Sequence, residues 1–161
     1  MGSTYANQYS AGGQRALIDG IFGSADFRTG AWQGYQDQDV IATVDLGSLQ
    51  PISNIRVNFL QDQRSWIFFP TEVACYVSDQ PNGYFKELGV RPVNSAERSD
   101  EVEIRSFKFP MNGYRGRYIK LVARKLGDLP EWHLGAPYNG KAWIFIDEIE
   151  ILKPDEKTKI P

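Results

Sequence analysis

Short apolar-rich runs alternate along this chain with clusters of turn-forming residues. The runs lie at Ile41–Gly47, Ile52–Leu60, Thr71–Ser78, Tyr84–Val90, Glu101–Pro110, Arg117–Arg124 and Ala142–Leu152. In the sixth, Ile119, Leu121 and Ala123 alternate with Tyr118, Lys120 and Arg124, the period-two pattern of a strand with one buried face. Sustained helical periodicity is absent. The best helical stretch is a turn or two at Gln14–Ile18, stopped by Asp19-Gly20. Short strands at this spacing predict an all-β sandwich or barrel. Asp79-Gln-Pro-Asn-Gly83 has the composition of a hairpin connection. Long irregular segments remain at 24–39, 61–70, 93–100 and 127–141, and loops of that length on a rigid sandwich usually carry function.

The patterned region runs over 9–152 and reads as one domain, a size that 161 residues with 42% hydrophobic content support. Residues 1–8, opening on Met1-Gly-Ser3, read as a linker remnant. The charged, proline-bounded 153–161 reads as a flexible tail. Eighteen basic and 20 acidic residues are interspersed, with a net charge of −2. That balance gives no footprint for nucleic acid. Apolar Trp66–Phe69 has only Arg64 beside it, which argues against an anionic membrane surface. Cys75, the single cysteine, falls in an alternating strand and reads as packing.

Chemistry narrows the picture further. The chain has no Gly-x-Ser-x-Gly elbow, no phosphate-cradling glycine loop and no His-Glu-x-x-His, and its one histidine is His133. A binding role is expected rather than an enzyme. Four Trp and eight Tyr provide flat amphipathic surfaces that either fill a core or stack on a ligand.

Three stretches, in this order, resemble the factor V/VIII type C (discoidin-like) domain and, within it, the family 32 carbohydrate-binding modules. They are Ala16-Leu-Ile-Asp-Gly20 with Thr29-Gly-Ala-Trp32, Val44-Asp-Leu-Gly47 with Ile52, and Pro70-Thr-Glu-Val73 with Val77-Ser-Asp79; Phe145-Ile-Asp-Glu-Ile149 closes the pattern. The resemblance implies a galactose-binding-domain-like jelly-roll sandwich of two antiparallel sheets, with ligand loops at one end. Trp32-Gln-Gly-Tyr35, Ser65-Trp-Ile67 and Ala142-Trp-Ile-Phe-Ile-Asp-Glu148 are most similar to copies at the C-terminus of secreted bacterial β-N-acetylhexosaminidases, or chitobiases. The resemblance thereby implies a non-catalytic, monomeric module that directs a parent glycoside hydrolase to glycans. It would act outside the cytoplasm, secreted, periplasmic or on the cell surface, beside the other domains of that hydrolase. The alternative is a protein- or cell-surface-adhesion module without sugar specificity, since one scaffold hosts several functions.

The resemblance also implies a structural calcium held by Asp19, Thr29 and Glu148 with backbone carbonyls, Asp26 being an alternative donor. Hard cations take such mixed oxygen sets. On the residues alone, Asp19 reads equally as a turn residue and Glu148 as the solvent face of a strand end. For the ligand, the resemblance points to segments 33–39, 61–69 and 129–139. Trp132 and Trp66 are the expected platforms, with Tyr35 and Tyr138 behind them. Gln61, Asp62, Arg64, Glu131 and His133 are the expected polar partners. Trp66 reads equally as packing, His133 as an ordinary loop residue, and Trp32 and Trp143 as core. The usual galactose pattern of the family is missing, because Asp37, Gln38 and Asp39 stand where a histidine is common. N-acetylglucosamine-containing glycans are suggested only by the presumed parent enzyme.

Overall fold

The structure, a computed structural model, describes residues 5–13, 15–80, 82–111 and 113–154. Among them eight strands form the frame: β1 (Gln33–Gln36), β2 (Val40–Pro51), β3 (Asn54–Gln61), β4 (Glu72–Ser78), β5 (Lys86–Pro92), β6 (Glu103–Pro110), β7 (Arg115–Arg124) and β8 (Trp143–Leu152). Two antiparallel four-stranded sheets result, ordered β1-β8-β3-β6 and β2-β7-β4-β5. Short 3-10 turns are the helical elements, one of them Ala16–Ile18 inside the expected helical stretch.

Alternation places the core. Ile55, Val57 and Phe59 of β3 meet Val73, Cys75 and Val77 of β4 and Ile119, Leu121 and Ala123 of β7 in one buried cluster between the sheets. Each fully buried side chain of this kind stabilises the fold by roughly 1.5–3 kcal/mol. Cys75 packs there as expected, and burial pushes its thiol up to about 12. The intervening residues Leu60 and Phe145 form a second cluster with Trp32 and Ile67, lined by Tyr9, Phe27 and Trp143. Trp32 is therefore core. Its indole Nε1 donates to the Ser24 carbonyl at 2.7 Å. A Cβ on Gly23 would lie 2.1 Å from the Trp32 ring, so only glycine lets the backbone pass so close.

Two expectations need correction. β1 lies inside 24–39, a stretch whose sequence reads as irregular. The domain also starts before residue 9, because Ala6 N–H donates to the Gly34 carbonyl at 2.8 Å and Tyr5 packs edge-to-face on Tyr35. The Asp79–Gly83 hairpin does join antiparallel β4 and β5, although Pro81 is outside the described residues, as are 155–161 of the tail.

Strand directions sort the loops. The connections after β1, β3, β5 and β7 emerge at one end of the sandwich, and the short connections after β2, β4 and β6 at the other. Three long loops thus converge: β3–β4 (62–71), β5–β6 (93–102) and β7–β8 (125–142).

Candidate functional site

At this loop end a cleft of about 490 Å³ opens, lined by Gln63, Arg64, Trp66, Arg98, Ser99, Asp100, Trp132, His133 and Leu134. All three long loops contribute. Beneath it Phe68, Leu129 and Ala142 form a small buried cluster against which Trp66 packs. A Cβ on Gly135 or Gly140 would fall 2.7 or 2.9 Å from the Trp66 ring. The indole therefore rests on bare glycine backbone of the β7–β8 loop. Trp66 itself adopts φ 68°, ending the 3-10 turn Gln63–Ser65.

Trp132 is the more open ring, 36% exposed. Its Nε1 donates to the Ala96 carbonyl at 3.1 Å, and its ring tilts against Phe68 and His133. The Arg98 guanidinium carbon sits 5.5 Å from the ring centroid, a cation–π distance. Leu134 beside it is 90% exposed, with no core contact to explain it.

One buried side chain ties the loops together. Gln63 is 4% exposed. Its Nε2 donates to Glu97 O at 2.8 Å and to Gln61 Oε1 at 3.1 Å, while its Oε1 accepts from Ser99 N–H at 2.8 Å. Its backbone carbonyl accepts from Trp66 N–H at 3.0 Å and from His133 Nε2 at 2.6 Å. Gly135 N–H donates to His133 Nδ1 at 2.9 Å, which assigns the Nε2–H tautomer. A glutamine amide thus latches β3–β4 to β5–β6, His133 latches β7–β8 to β3–β4, and Trp132 Nε1 ties β7–β8 to β5–β6 at Ala96.

Trp66, Arg64, Trp132 and His133 come together as expected, but the other expected ligand residues do not. Tyr35 is a correction: it is fully buried, its hydroxyl donating to Gln33 Oε1 at 2.8 Å, so it belongs to the inter-sheet core. Gln61 is 5% exposed and engaged with Gln63. Asp62 lines a different depression with Ala25–Arg28, Ser65 and Val102. Glu131 is exposed outside the cleft lining. Tyr138, 81% exposed, also stands outside it. His133 lines the cleft but is 8% exposed with both nitrogens engaged, so it is a latch rather than a free polar partner. Sequence reading missed Gln63, Arg98, Ser99, Asp100 and Leu134. The length of segment 93–100 was the available signal for three of these.

The expected metal ligands lie elsewhere, Glu148 on β8 just past the last residue paired with β1, and Asp19 in the turn packed against it. Val57 pairs with Ile149 and Phe59 with Ile146, so Asp147 and Glu148 both stand opposite Asn58. This β-bulge redirects two consecutive carboxylates. Asp147 Oδ2 accepts from Gly23 N–H at 3.0 Å, and both Glu148 oxygens accept from Gly20 N–H at 3.1 Å. Burial pushes Asp147 up to about 6. Burial, with the negative charges of Asp19 and Asp147, pushes Glu148 up to about 7. Asp19 and Glu148 are thus brought together. Thr29 and Asp26 are engaged in their own turn: Thr29 Oγ1 donates to Asp26 O at 3.0 Å, and the Asp26 carboxylate pairs with Arg28. Among the described residues no group of three or more His, Cys, Asp and Glu is disposed as a metal site. The mutually repelling Asp19–Glu148 pair, beside irregular backbone, still fits the oxygen chemistry of a hard cation.

The fold and its loop-end cleft define a two-sheet β-sandwich domain, in which a rigid frame presents three long loops at one end. Residues 2–148 match the F5/8 type C domain model, and the chain belongs to that family. No curated protein sequence matches it. Similar solved structures include the second family 32 carbohydrate-binding module of a family 31 glycoside hydrolase, bound to GalNAc: 15% identity, TM-score 0.56, covering 93% of this chain and 96% of that one. A family 32 module of a Clostridium perfringens family 89 glycoside hydrolase, in complex with GlcNAc-α-1,4-galactose, has 15% identity and TM-score 0.54, covering 94% of this chain and 86% of that one. A Ruminococcus gnavus family 29 fucosidase in complex with fucose has 13% identity and TM-score 0.57 over 96% of this chain. The chain spans only 24% of that fucosidase. At these identities the likeness establishes the fold.

Proposed function

We propose that this domain is a non-catalytic carbohydrate-binding module that holds a larger glycoside hydrolase against its glycan. The observation that carries the reading is the cleft, where Trp132 and Trp66 stand among guanidinium, hydroxyl and carboxylate groups on loops latched by Gln63. Sugars present C–H patches to flat rings and hydroxyl edges to planar polar groups, so this mixture suits them. The sugar-bound modules among the similar solved structures support the same reading. Membrane docking is disfavoured, because Ile67, Phe68 and Phe69 are buried rather than protruding.

A β-N-acetylhexosaminidase of the chitobiase type is the parent enzyme we favour, acting outside the cytoplasm, and a calcium ion held by Asp19 and Glu148 completes the fold. Affinity should be weak. One stacked ring contributes roughly 1–3 kcal/mol by analogy with ring-on-base stacking. A few net hydrogen bonds add about 1 kcal/mol each. A Kd near the millimolar range corresponds to about −4.1 kcal/mol, which tethering to a multivalent surface converts into useful avidity. A glycan array screen followed by NMR titration tests the assignment. Binding with shifts centred on Trp132 and Arg98 is expected. Absence of binding to any glycan, or shifts confined to the opposite end, overturns it.

A further inference from the structure

We infer that the cleft is selective for a sugar carrying an anionic group, a carboxylate or a sulfate. This rests on the carbohydrate-binding reading and names the ligand class for the same cleft. Arg64 and Arg98 both line it. Neither forms an ion pair with any carboxylate among the described residues; Arg15, Arg91 and Arg115 share that property but do not line the cleft, whereas Arg28, Arg56, Arg105, Arg117 and Arg124 are all paired. The domain carries 20 acidic residues against 18 basic ones, so two unpaired guanidiniums in one concavity run against the local availability of partners.

Both side chains are exposed, but the backbone that carries each is fixed. Arg64 is on the 3-10 turn Gln63–Ser65, pinned by the buried Gln63 side chain and by the Asp62–Ile67 bridge. Arg98 immediately precedes Ser99, whose N–H is fixed on the same Gln63 amide, and its guanidinium lies over Trp132. A guanidinium placed over a ring keeps its N–H fork free for a ligand, and no hydrogen bond or ion pair engages it among the described residues. That fork matches the planar oxygens of a carboxylate and also serves a sulfate. Asp100 is the sole carboxylate lining the cleft, leaving one positive charge in excess and an acceptor for the hydroxyls of the same sugar. A neutral glycan offers both forks only uncharged hydroxyl acceptors, whose hydrogen bonds are weaker than those to an anion.

NMR titration of the whole chain against two matched pairs tests this: methyl β-glucuronide with methyl β-glucoside, and 6-sulfo-N-acetylglucosamine with N-acetylglucosamine. At least one acidic sugar should bind roughly tenfold more tightly than its neutral counterpart, and the ratio should shrink as salt is raised. Which pair shows the ratio identifies carboxylate or sulfate. Arg64→Ala and Arg98→Ala, each checked for an unchanged melting curve, should bring the ratio close to one. Lys86→Ala, at the opposite end of the sandwich, should leave it intact. Equal binding of acidic and neutral sugars, or a ratio that survives both arginine replacements, overturns the inference while leaving the carbohydrate reading standing. Failure of all four sugars to bind, together with a blank glycan screen, removes both.

Discussion

Trp132 is held by its edge to Ala96 and by its ring to Phe68 and His133, which makes it a fixed platform. Trp132→Ala should weaken glycan binding at least tenfold, and, because the ring is only partly buried, lower the melting temperature by just a few degrees. Isothermal titration beside a thermal melt reads both effects. Collapse of the fold would place the ring in the core instead. Glu148 offers a residue-scale test of a different kind. Its native value of about 7 stands above the ordinary carboxylate range. The metal-free native state therefore holds a proton that the unfolded chain has already released across that interval, so the stabilisation is complete at low pH and is lost as pH rises through about 7. Asp147, raised to about 6, acts in the same sense. In excess chelator the melting temperature should fall between pH 5 and pH 8, and Glu148→Gln should flatten the slope. An unchanged slope in that variant would assign the dependence to other groups.

Among the elements, the Gln63 latch governs whether three loops behave as one surface. Gln63→Leu removes three side-chain hydrogen bonds and leaves the Ser99 N–H and the Glu97 carbonyl without their partner. A loss of about 2 kcal/mol is expected, with faster amide exchange in 94–100 and reduced glycan affinity as the loops lose their common anchor. Unaltered exchange in that loop would show the latch to be dispensable. The same residue shows what was hidden in the sequence. Strands such as β7 were legible because apolar residues alternate with charged ones. β1 was not, since Gln33 is buried through amide bonds to the Ser10 and Gly13 carbonyls rather than by apolar character. Gln63 escaped notice for the same reason. Hydropathy patterns detect side chains that avoid water, and a buried glutamine is recognisable only by its partners. Trp66 and Trp132 were legible as loop residues because no strand period claimed them, and both line the cleft, while Tyr35, two residues from Gln33, was claimed by a strand whose presence was unrecognised. The interruption at Asp147-Glu148 was visible, but its cause, a bulge opposite Asn58, required the register of β3.

At the scale of the whole molecule, Asp19 and Glu148 join segments 129 residues apart in sequence, so an ion between them would tie the N-terminal segment to the last strand. Calcium at a hundredfold excess over its Kd would stabilise the native state by about 2.7 kcal/mol. The melting temperature should rise on adding calcium and fall on chelation. Indifference to both, with no metal found by elemental analysis, would refute the site. The path of β8 carries a further consequence. It starts at Trp143 beside the loop end and runs ten residues to Leu152, which pairs with Asn54 at the far end of β3. At roughly 3.3 Å per residue the strand is about 33 Å long. A sensor chip or bead coupled through a side chain placed at that far end, near Leu152, would therefore leave the mouth turned to the analyte.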